Sequence, residues 1–165
     1  MRKLVLIATA QALAGCTVSY SFTPPASVGT AKTFSVDQFE AKAPLSSAQS
    51  AQTFTEILRD LLQAQTPLDQ QRKNGDVQFS GSITGYDVQP VAIQANETAA
   101  LNRLTISITV RYTNATDKTK DTEFNVSRFA DYNSTQDLGS VETALVEEIS
   151  KQLAQDIFDR TLGNW

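Results

Sequence analysis

Apolar residues recur along this chain with two different spacings, and each spacing predicts one type of element. Alternation with a period of two is typical of a strand with one buried face, and it is clearest from Arg103 to Asn114. Apolar residues three or four positions apart predict helices from Ser46 to Gln65 and from Ser140 to Leu162. Because serine is a favoured N-cap, we expect the first helix to begin at Ser46 or Ser47 and the second at Ser140.

Three further strands show less regular alternation. They are predicted at Ala31 to Phe39, Asp76 to Val91 and Thr122 to Tyr132. The apolar parity changes at Gly85, and Phe129 is out of phase with its strand, so we expect one β-bulge at Gly85 and a second near Ser127 and Arg128. The order β-α-β-β-β-α predicts an α+β fold of two layers, in which two helices pack on one face of a four-stranded sheet.

The first sixteen residues have the pattern of a bacterial lipoprotein signal peptide. Arg2 and Lys3 precede an apolar stretch, Leu4 to Leu13, that is too short to span a bilayer. Leu13-Ala14-Gly15-Cys16 matches a lipobox, and Cys16 is the only cysteine in the chain. We therefore expect cleavage before Cys16 and acylation of that cysteine.

This interpretation divides the chain into three parts. Residues 1–15 are the predicted signal peptide, residues 16–30 a lipid-anchored tether, and residues 31–165 the folded domain. No acidic residue lies between Thr17 and Ser21. In the sorting rule of Gram-negative bacteria that absence favours the outer membrane, and we expect the domain to face the periplasm.

Composition removes several classes of chemistry. The chain has no histidine, so it can form neither a Ser-His-Asp nor a Cys-His catalytic arrangement, nor the usual zinc and copper sites. It also lacks a glycine-rich phosphate loop. We expect no enzymatic activity, no metal and no cofactor beyond the lipid on Cys16. Without Arg2 and Lys3 the chain has 12 basic and 18 acidic residues, a balance that disfavours nucleic acid.

The basic residues are concentrated in one stretch of the sequence. Five basic and three acidic residues lie between Arg103 and Arg128. The basic ones are Arg103, Arg111, Lys118, Lys120 and Arg128. They are the candidate ligands for an anion, and the alternative is that they merely balance an acidic surface.

The predicted outward face of the central strands is rich in small uncharged polar groups. Its members are Gln78, Ser80, Ser82, Thr84, Thr105, Ser107, Thr109 and Thr113. Such a face is compatible with an ordinary solvated sheet. The alternative is a face held in a polar cavity, such as a barrel lumen, or against a sugar-rich ligand.

Short segments spread over nearly the whole chain carry a resemblance to a known family. They are Leu13-Ala14-Gly15-Cys16, Tyr20-Ser21-Phe22, Ala43-Pro44-Leu45, Phe54-Thr55-Glu56, Leu58-Arg59-Asp60, Gly75 to Gly81, Gly85-Tyr86, Ala100 to Ile106, Tyr112-Thr113-Asn114, Ser127 to Tyr132, Asp156-Ile157-Phe158 and Asn164-Trp165. In these segments the chain resembles the LptE-type lipopolysaccharide-assembly lipoproteins, in the form found in the Bacteroidetes.

The resemblance implies a fold of two helices on a four-stranded sheet and a role without catalysis. It implies a lipid-anchored subunit that sits in a large LptD-type outer-membrane β-barrel, as plug and assembly aid of the lipopolysaccharide export translocon. In better-known members, basic residues at one end of the sheet contact lipopolysaccharide. The alternative function is a periplasmic scaffold or chaperone-like lipoprotein of another outer-membrane complex.

Overall fold

A computed structural model describes residues 28–91 and 100–163 of the chain. The elements are strands β1 (Thr33–Val36) and β2 (Glu40–Ala41), helix α1 (Ala48–Gln65), strands β3 (Asp69–Gln71), β4 (Val77–Val91) and β5 (Leu101–Asn114), a 3₁₀ turn (Lys118–Lys120), strand β6 (Thr122–Asn133) and helix α2 (Leu138–Thr161). The predicted signal peptide, Cys16 and most of the predicted tether lie outside the described residues. No helix among the described residues is long and apolar enough to cross a membrane.

The strands form one mixed sheet, so the α+β prediction is confirmed while the prediction of four strands is wrong. The sheet has six strands in the order β3-β1-β4-β5-β6, and β2 also pairs with β4. β1 runs parallel to β3 and β4, and β2 runs parallel to β4, whereas the β4–β5 and β5–β6 pairs are antiparallel. β3 was missed because Asp69–Gln71 is three exposed polar residues without any apolar alternation.

The predicted strand from Ala31 to Phe39 is shorter in the structure, because β1 ends at Val36, and a second short strand, β2, follows at Glu40–Ala41 on the same edge of β4. Val36 pairs with Phe79 and Glu40 pairs with Ser82, so the chain uses one more residue than β4 over this interval. That extra residue interrupts the strand between β1 and β2 and turns Phe39 into the core, where it is 1% exposed.

Phe39 packs at this break because β4 has a glycine beneath it. A Cβ on Gly81 would lie 2.6 Å from the Phe39 ring and would collide with the carbonyl oxygen of Thr109. The same ring packs edge-on against Phe54 of α1, with the two centroids 4.8 Å apart. The Thr55 hydroxyl accepts a hydrogen bond from the Phe39 amide at 3.1 Å, so α1 fixes the break directly.

The two predicted bulges have different outcomes. Ile83 pairs with Ile108 while Gly85 pairs with Ser107, so Thr84 is the extra residue of a bulge at the expected place. β6 pairs with β5 in unbroken register, and the second predicted bulge is therefore wrong. Phe129 is out of phase simply because its side chain lies on the outward face of the sheet, where it is 46% exposed.

Both helices cover the other face of the sheet, as predicted. Ser47 caps α1 by accepting a hydrogen bond from the Ser50 amide at 3.0 Å. The predicted cap of α2 is wrong, because the Ser140 hydroxyl donates to the Asp137 carbonyl instead of accepting from the first turn. The apolar rows of the two helices, namely Phe54, Leu58, Leu62, Leu145, Ile149, Leu153 and Ile157, are buried with the inward side chains of the strands in one core.

Candidate functional site

The outward face of the sheet is a set of polar rows that run across β4, β5 and β6. Register places Ser82, Thr109 and Asn125 in one row. The Thr109 hydroxyl donates to the Asn125 side chain at 2.7 Å, and the hydroxyls of Ser107 and Ser127 lie 3.0 Å apart in the next row. Neighbouring side chains thus satisfy one another, and the centre of the face is polar and uncharged.

An ion pair and an aromatic ring lie at one end of this face. The Arg103 guanidinium donates two hydrogen bonds to Asp131, at 2.7 and 2.8 Å. It also lies over the ring of Phe129, 3.6 Å from the centroid. Through this hydrogen bond Arg103 holds the pKa of the Asp131 carboxyl below its ordinary value, while Asp131 raises the pKa of Arg103.

A second arginine lies in a shallow groove near the other end of the face. Arg111 pairs with Glu123 at 2.9 Å. The groove, of about 390 Å³, lies between these rows and the interrupted edge, and it is lined by Asp37, Gln38, Glu40, Lys42, Ser80, Gly81, Ser82, Thr109, Arg111 and Glu123. Eight residues of strand separate Arg111 from Arg103, which is roughly 27 Å. The two arginines therefore do not form one site.

Arg128 lies on the opposite face of the sheet, beside α2. Its guanidinium donates two hydrogen bonds of 2.6 Å to Asp156 of the helix. This pairing raises the pKa of Arg128 and ties the edge of the sheet to α2. The structure consequently separates Arg128 from the other four basic residues that the sequence grouped together.

Lys118 and Lys120 lie on the 3₁₀ turn of the β5–β6 hairpin. The Asp117 side chain caps this turn by accepting from the Thr119 amide at 3.1 Å, and the hydrogen bonds from Thr119 lower the pKa of Asp117. Lys118 lies 3.8 Å from Asp121, and among the described residues Lys120 has no carboxylate within salt-bridge distance. The turn therefore presents lysines whose charge is less neutralised than that of the three arginines.

A further cation belongs with these lysines and was missed by the sequence reasoning. Arg160, in the last turn of α2, lines the same depression as Lys120, a space of about 280 Å³ beneath the hairpin. Its guanidinium donates to the Asn125 carbonyl at 3.2 Å and, within the described part of the chain, has no carboxylate partner. A cation in the last helical turn is only a weak signal in the sequence, because it also suits the helix dipole.

The same end of the molecule receives the beginning of the described chain. Because β1 runs parallel to β4, and Val77 pairs with Asn114, the start of β1 lies beside the hairpin. The Asp76 carboxylate accepts from the amides of Lys32 and Thr33, at 2.8 and 3.1 Å, and these bonds lower the pKa of Asp76. The segment that follows the predicted tether is thus fixed at the basic end of the sheet.

Comparison with known proteins gives one family and a set of similar folds. A family model described as LptE, lipopolysaccharide-assembly, matches residues 31–161. A search of curated proteins found no match.

No group of three or more histidine, cysteine, aspartate or glutamate side chains able to hold a metal ion occurs among residues 28–91 and 100–163.

Three solved structures illustrate the shared fold. The minor lipoprotein from Acinetobacter baumannii has a TM-score of 0.50 at 14% identity, over 78% of this chain and 91% of that chain. The rare lipoprotein B from Shewanella oneidensis has a TM-score of 0.52 at 12% identity, over 78% and 92%. The protein CT253 from Chlamydia trachomatis has a TM-score of 0.52 at 6% identity, over 81% and 99%. At these identities the likeness concerns the fold.

Proposed function

The chain belongs to the LptE family of lipopolysaccharide-assembly proteins, and from that premise we propose that it is the plug and assembly subunit inside an LptD-type outer-membrane β-barrel. Family membership assigns it to lipopolysaccharide assembly and associates it with the transport machinery. The plug position, the barrel partner and a role without catalysis are the finer parts of the proposal.

The polar outward face of the sheet supports the plug position. The lumen of a large outer-membrane barrel is polar and water-filled, so a domain within it should present polar surface to the wall. The rows centred on Ser107 and Thr109 provide such a surface, since their hydroxyls are already hydrogen-bonded to β6 and can meet a polar wall directly or through water. A domain of this length has a radius of gyration of roughly 15 Å, which only a barrel of well over 20 strands can enclose.

The proposal includes a lipid anchor on Cys16. One acyl chain gives only marginal membrane binding, at roughly 0.8 kcal/mol for each buried CH₂, whereas the several chains of a bacterial lipoprotein cysteine make attachment effectively permanent. We place the anchor in the outer membrane with the domain on the periplasmic side. The tether would then join the domain at the end where the hairpin and Lys32 lie.

The same end is our proposed contact for lipopolysaccharide. The phosphates of lipid A are anionic, and they would have to displace a carboxylate from Arg103, Arg111 or Arg128 before binding there. Lys118, Lys120 and Arg160 require little or no such exchange. Of the five basic residues that the sequence offered as ligands, the proposed lipopolysaccharide contact therefore keeps Lys118 and Lys120, and it adds Arg160.

Purification of the full-length protein from its own membranes tests the plug position. With Cys16 intact, we expect a very large β-barrel to co-purify in near-equal amount. A photo-crosslinking residue at Thr109, on the polar face, should form crosslinks to that barrel more efficiently than one at Gln63, which is exposed on α1. A different co-purifying complex would favour the scaffold alternative, and crosslinks from Gln63 alone would contradict the assigned face.

Charge reversal tests the lipopolysaccharide contact separately. We expect Lys118→Glu with Lys120→Glu to weaken binding of purified lipopolysaccharide several-fold, because two cations become anions at one end of the sheet. Lys42→Glu with Lys151→Glu makes the same change in net charge at two exposed lysines that lie away from the hairpin, and is the matched control. Equal binding by both double variants would remove the hairpin from the site.

A further inference from the structure

The two edges of the sheet differ greatly in length. One edge ends in β3, which has three residues, whereas the other is β6, with 12 residues in unbroken register with β5. Natural sheets usually protect a long edge with proline, lysine, a bulge or a covering element. β6 contains neither proline nor lysine, it has no bulge, and no strand of the described chain pairs with its outer side. Its one inward-facing charged residue, Arg128, is neutralised by Asp156 of α2.

The direction of the peptide groups of β6 follows from two hydrogen bonds. The Ser134 amide donates to the Ala100 carbonyl, so the even-numbered residues of β6 are those whose peptide groups bond to β5. The odd-numbered residues must then direct their N–H and C=O groups away from the sheet. The bond from Arg160 to the Asn125 carbonyl agrees, because a side chain of α2 reaches that carbonyl only around the free edge.

Arg160 occupies the edge at Asn125, and the Asn133 carbonyl accepts from the Gln136 amide at 3.0 Å. Between them, within the described part of the chain, the run from Ser127 to Asp131 remains open. Phe129 lies on the outward face in the middle of this run and is 46% exposed. On the helix side, a depression of about 420 Å³ adjoins the same edge and is lined largely by the aliphatic parts of Arg128, Lys151, Gln152, Gln155 and Asp156. An added strand would place alternate side chains against Phe129 and into this depression.

We propose that the β6 edge between Ser127 and Asp131 binds an extended segment of a partner polypeptide, which adds a strand to the sheet and sets an apolar side chain against Phe129. Repeated outward N–H and C=O groups at strand spacing match those of an extended peptide backbone, as in β-strand addition. This goes beyond the proposed function, because strand addition requires neither lipopolysaccharide nor a barrel. A closed barrel has no free strand edge, so such a segment would be a loop or a tail.

A second copy of this chain is a poorer occupant of the edge. In an antiparallel pairing of β6 with itself, outward-directed odd-numbered residues must lie opposite odd-numbered residues. The two longest registers that meet this condition are centred on Ser127 or on Arg128. The first puts Glu123 opposite Asp131, and the second puts Arg128 opposite its own copy. Like charges directly opposite destabilise a strand pair, so the charges favour a different polypeptide.

Residue-level hydrogen exchange on the full-length protein tests this proposal. The complex purified from membranes is compared with the same chain separated from its partners in the same detergent. We expect the outward amides of Ser127, Phe129 and Asp131 to exchange at least about tenfold more slowly in the complex, since each gains a hydrogen bond. The amides of Arg128 and Ala130 should change little, because they already bond to β5.

Substitution at one outward amide gives an independent readout. Ser127→Pro removes an N–H that β5 does not use, and Ser127→Ala keeps it while removing the hydroxyl. We expect the proline variant to lose about tenfold in partner recovery and the alanine variant to keep it, with similar melting temperatures. If the proline variant unfolds, Phe129→Thr replaces it, because threonine suits a strand and removes the proposed aromatic contact.

Three results would overturn the proposal. They are equal exchange of the outward amides in both samples, unchanged recovery with both Ser127→Pro and Phe129→Thr, and protection that appears in the isolated chain as its concentration rises. The last result would identify a second copy as the occupant. If a large barrel still co-purifies while the outward amides exchange equally in both samples, the plug proposal stands and strand addition fails.

Discussion

Truncation of Phe39 should destabilise the domain more than the same change at Phe129. Phe39 is 1% exposed and is held between Gly81 and Phe54 at the break between β1 and β2. Removing a buried phenylalanine side chain typically costs about 3–5 kcal/mol. The upper half of that range applies here, because Gly81 has no side chain that could move into the cavity.

The expected shift follows from the size of the domain. An unfolding entropy of about 2.1 cal/mol/K per residue gives roughly 0.27 kcal/mol/K for about 130 residues, so a loss of about 4 kcal/mol lowers Tm by about 15 °C. Phe129→Ala removes a half-exposed ring and its contact with Arg103, which is worth roughly 0.5–1 kcal/mol at an exposed site. Its Tm should therefore fall by no more than about 4 °C.

Thermal unfolding followed by circular dichroism measures both variants. Phe39→Leu should fall between wild type and Phe39→Ala, because leucine keeps apolar volume and loses the edge-on contact with Phe54. If Tm falls equally in Phe39→Ala and Phe129→Ala, or if it changes by less than about 4 °C in Phe39→Ala, Phe39 does not anchor the break between β1 and β2. Another contact would then have to hold the residues from Asp37 to Lys42 that line the shallow groove beside Arg111.

Three further substitutions, the first of them with a control variant, test other parts of the fold. Gly81→Ala should destabilise the domain by about 1–3 kcal/mol or more in urea unfolding, since its Cβ would meet backbone, while Gly139→Ala in α2 should be neutral or stabilising by up to about 1 kcal/mol. The pKa of Asp76 is lowered in the fold, so as pH falls the unfolded chain takes up that proton first. The ionised carboxylate therefore stabilises the fold above about pH 4, and this stabilisation is lost as pH falls through the lowered pKa. Urea unfolding at pH 7 and at pH 3 should show a smaller acid-dependent loss of stability for Asp76→Asn than for wild type. Burial, with Glu142, raises the pKa of Tyr86, so stability should fall as pH rises past about 10, and Tyr86→Phe should remove that alkaline loss in the same assay.

The sequence predicted those elements whose two faces differ in polarity. The helix rows through Leu58 and Ile149 and the strand through Ile108 each have one buried and one polar face, which makes their period visible. β2 and β3 have no such contrast, since each is short and exposed, and their pairing depends on neighbours that are distant in sequence. The interruption between β1 and β2 depends on the contact of the Phe39 ring with Gly81, which lies forty-two residues later in the sequence. Local alternation cannot reveal such a contact.

The position of Phe129 shows a second limit of local pattern. An apolar residue out of phase with its strand is expected to turn inward through a bulge, and on that basis the sequence predicts a bulge near Ser127 and Arg128. The structure keeps β6 regular and leaves Phe129 on the outward face under Arg103. The contact that accommodates Phe129 on this face comes from the neighbouring strand, twenty-six residues earlier in the sequence, and local alternation does not reveal it.

The basic stretch demonstrates why charge along a sequence is a poor guide to an anion site in a sheet. Arg103 and Arg111 share a face but are separated by the length of a strand, and Arg128 has the opposite parity. Antiparallel register then supplies Arg103 with Asp131, and Arg111 with Glu123, each on the neighbouring strand. Among the described residues, the cations without a carboxylate partner are found where the ladder ends, at the hairpin turn and the last turn of α2, which bring Lys120 and Arg160 to one depression. Net charge in a window of sequence counts all these cations alike, whereas an incoming phosphate is attracted most by those without a carboxylate partner.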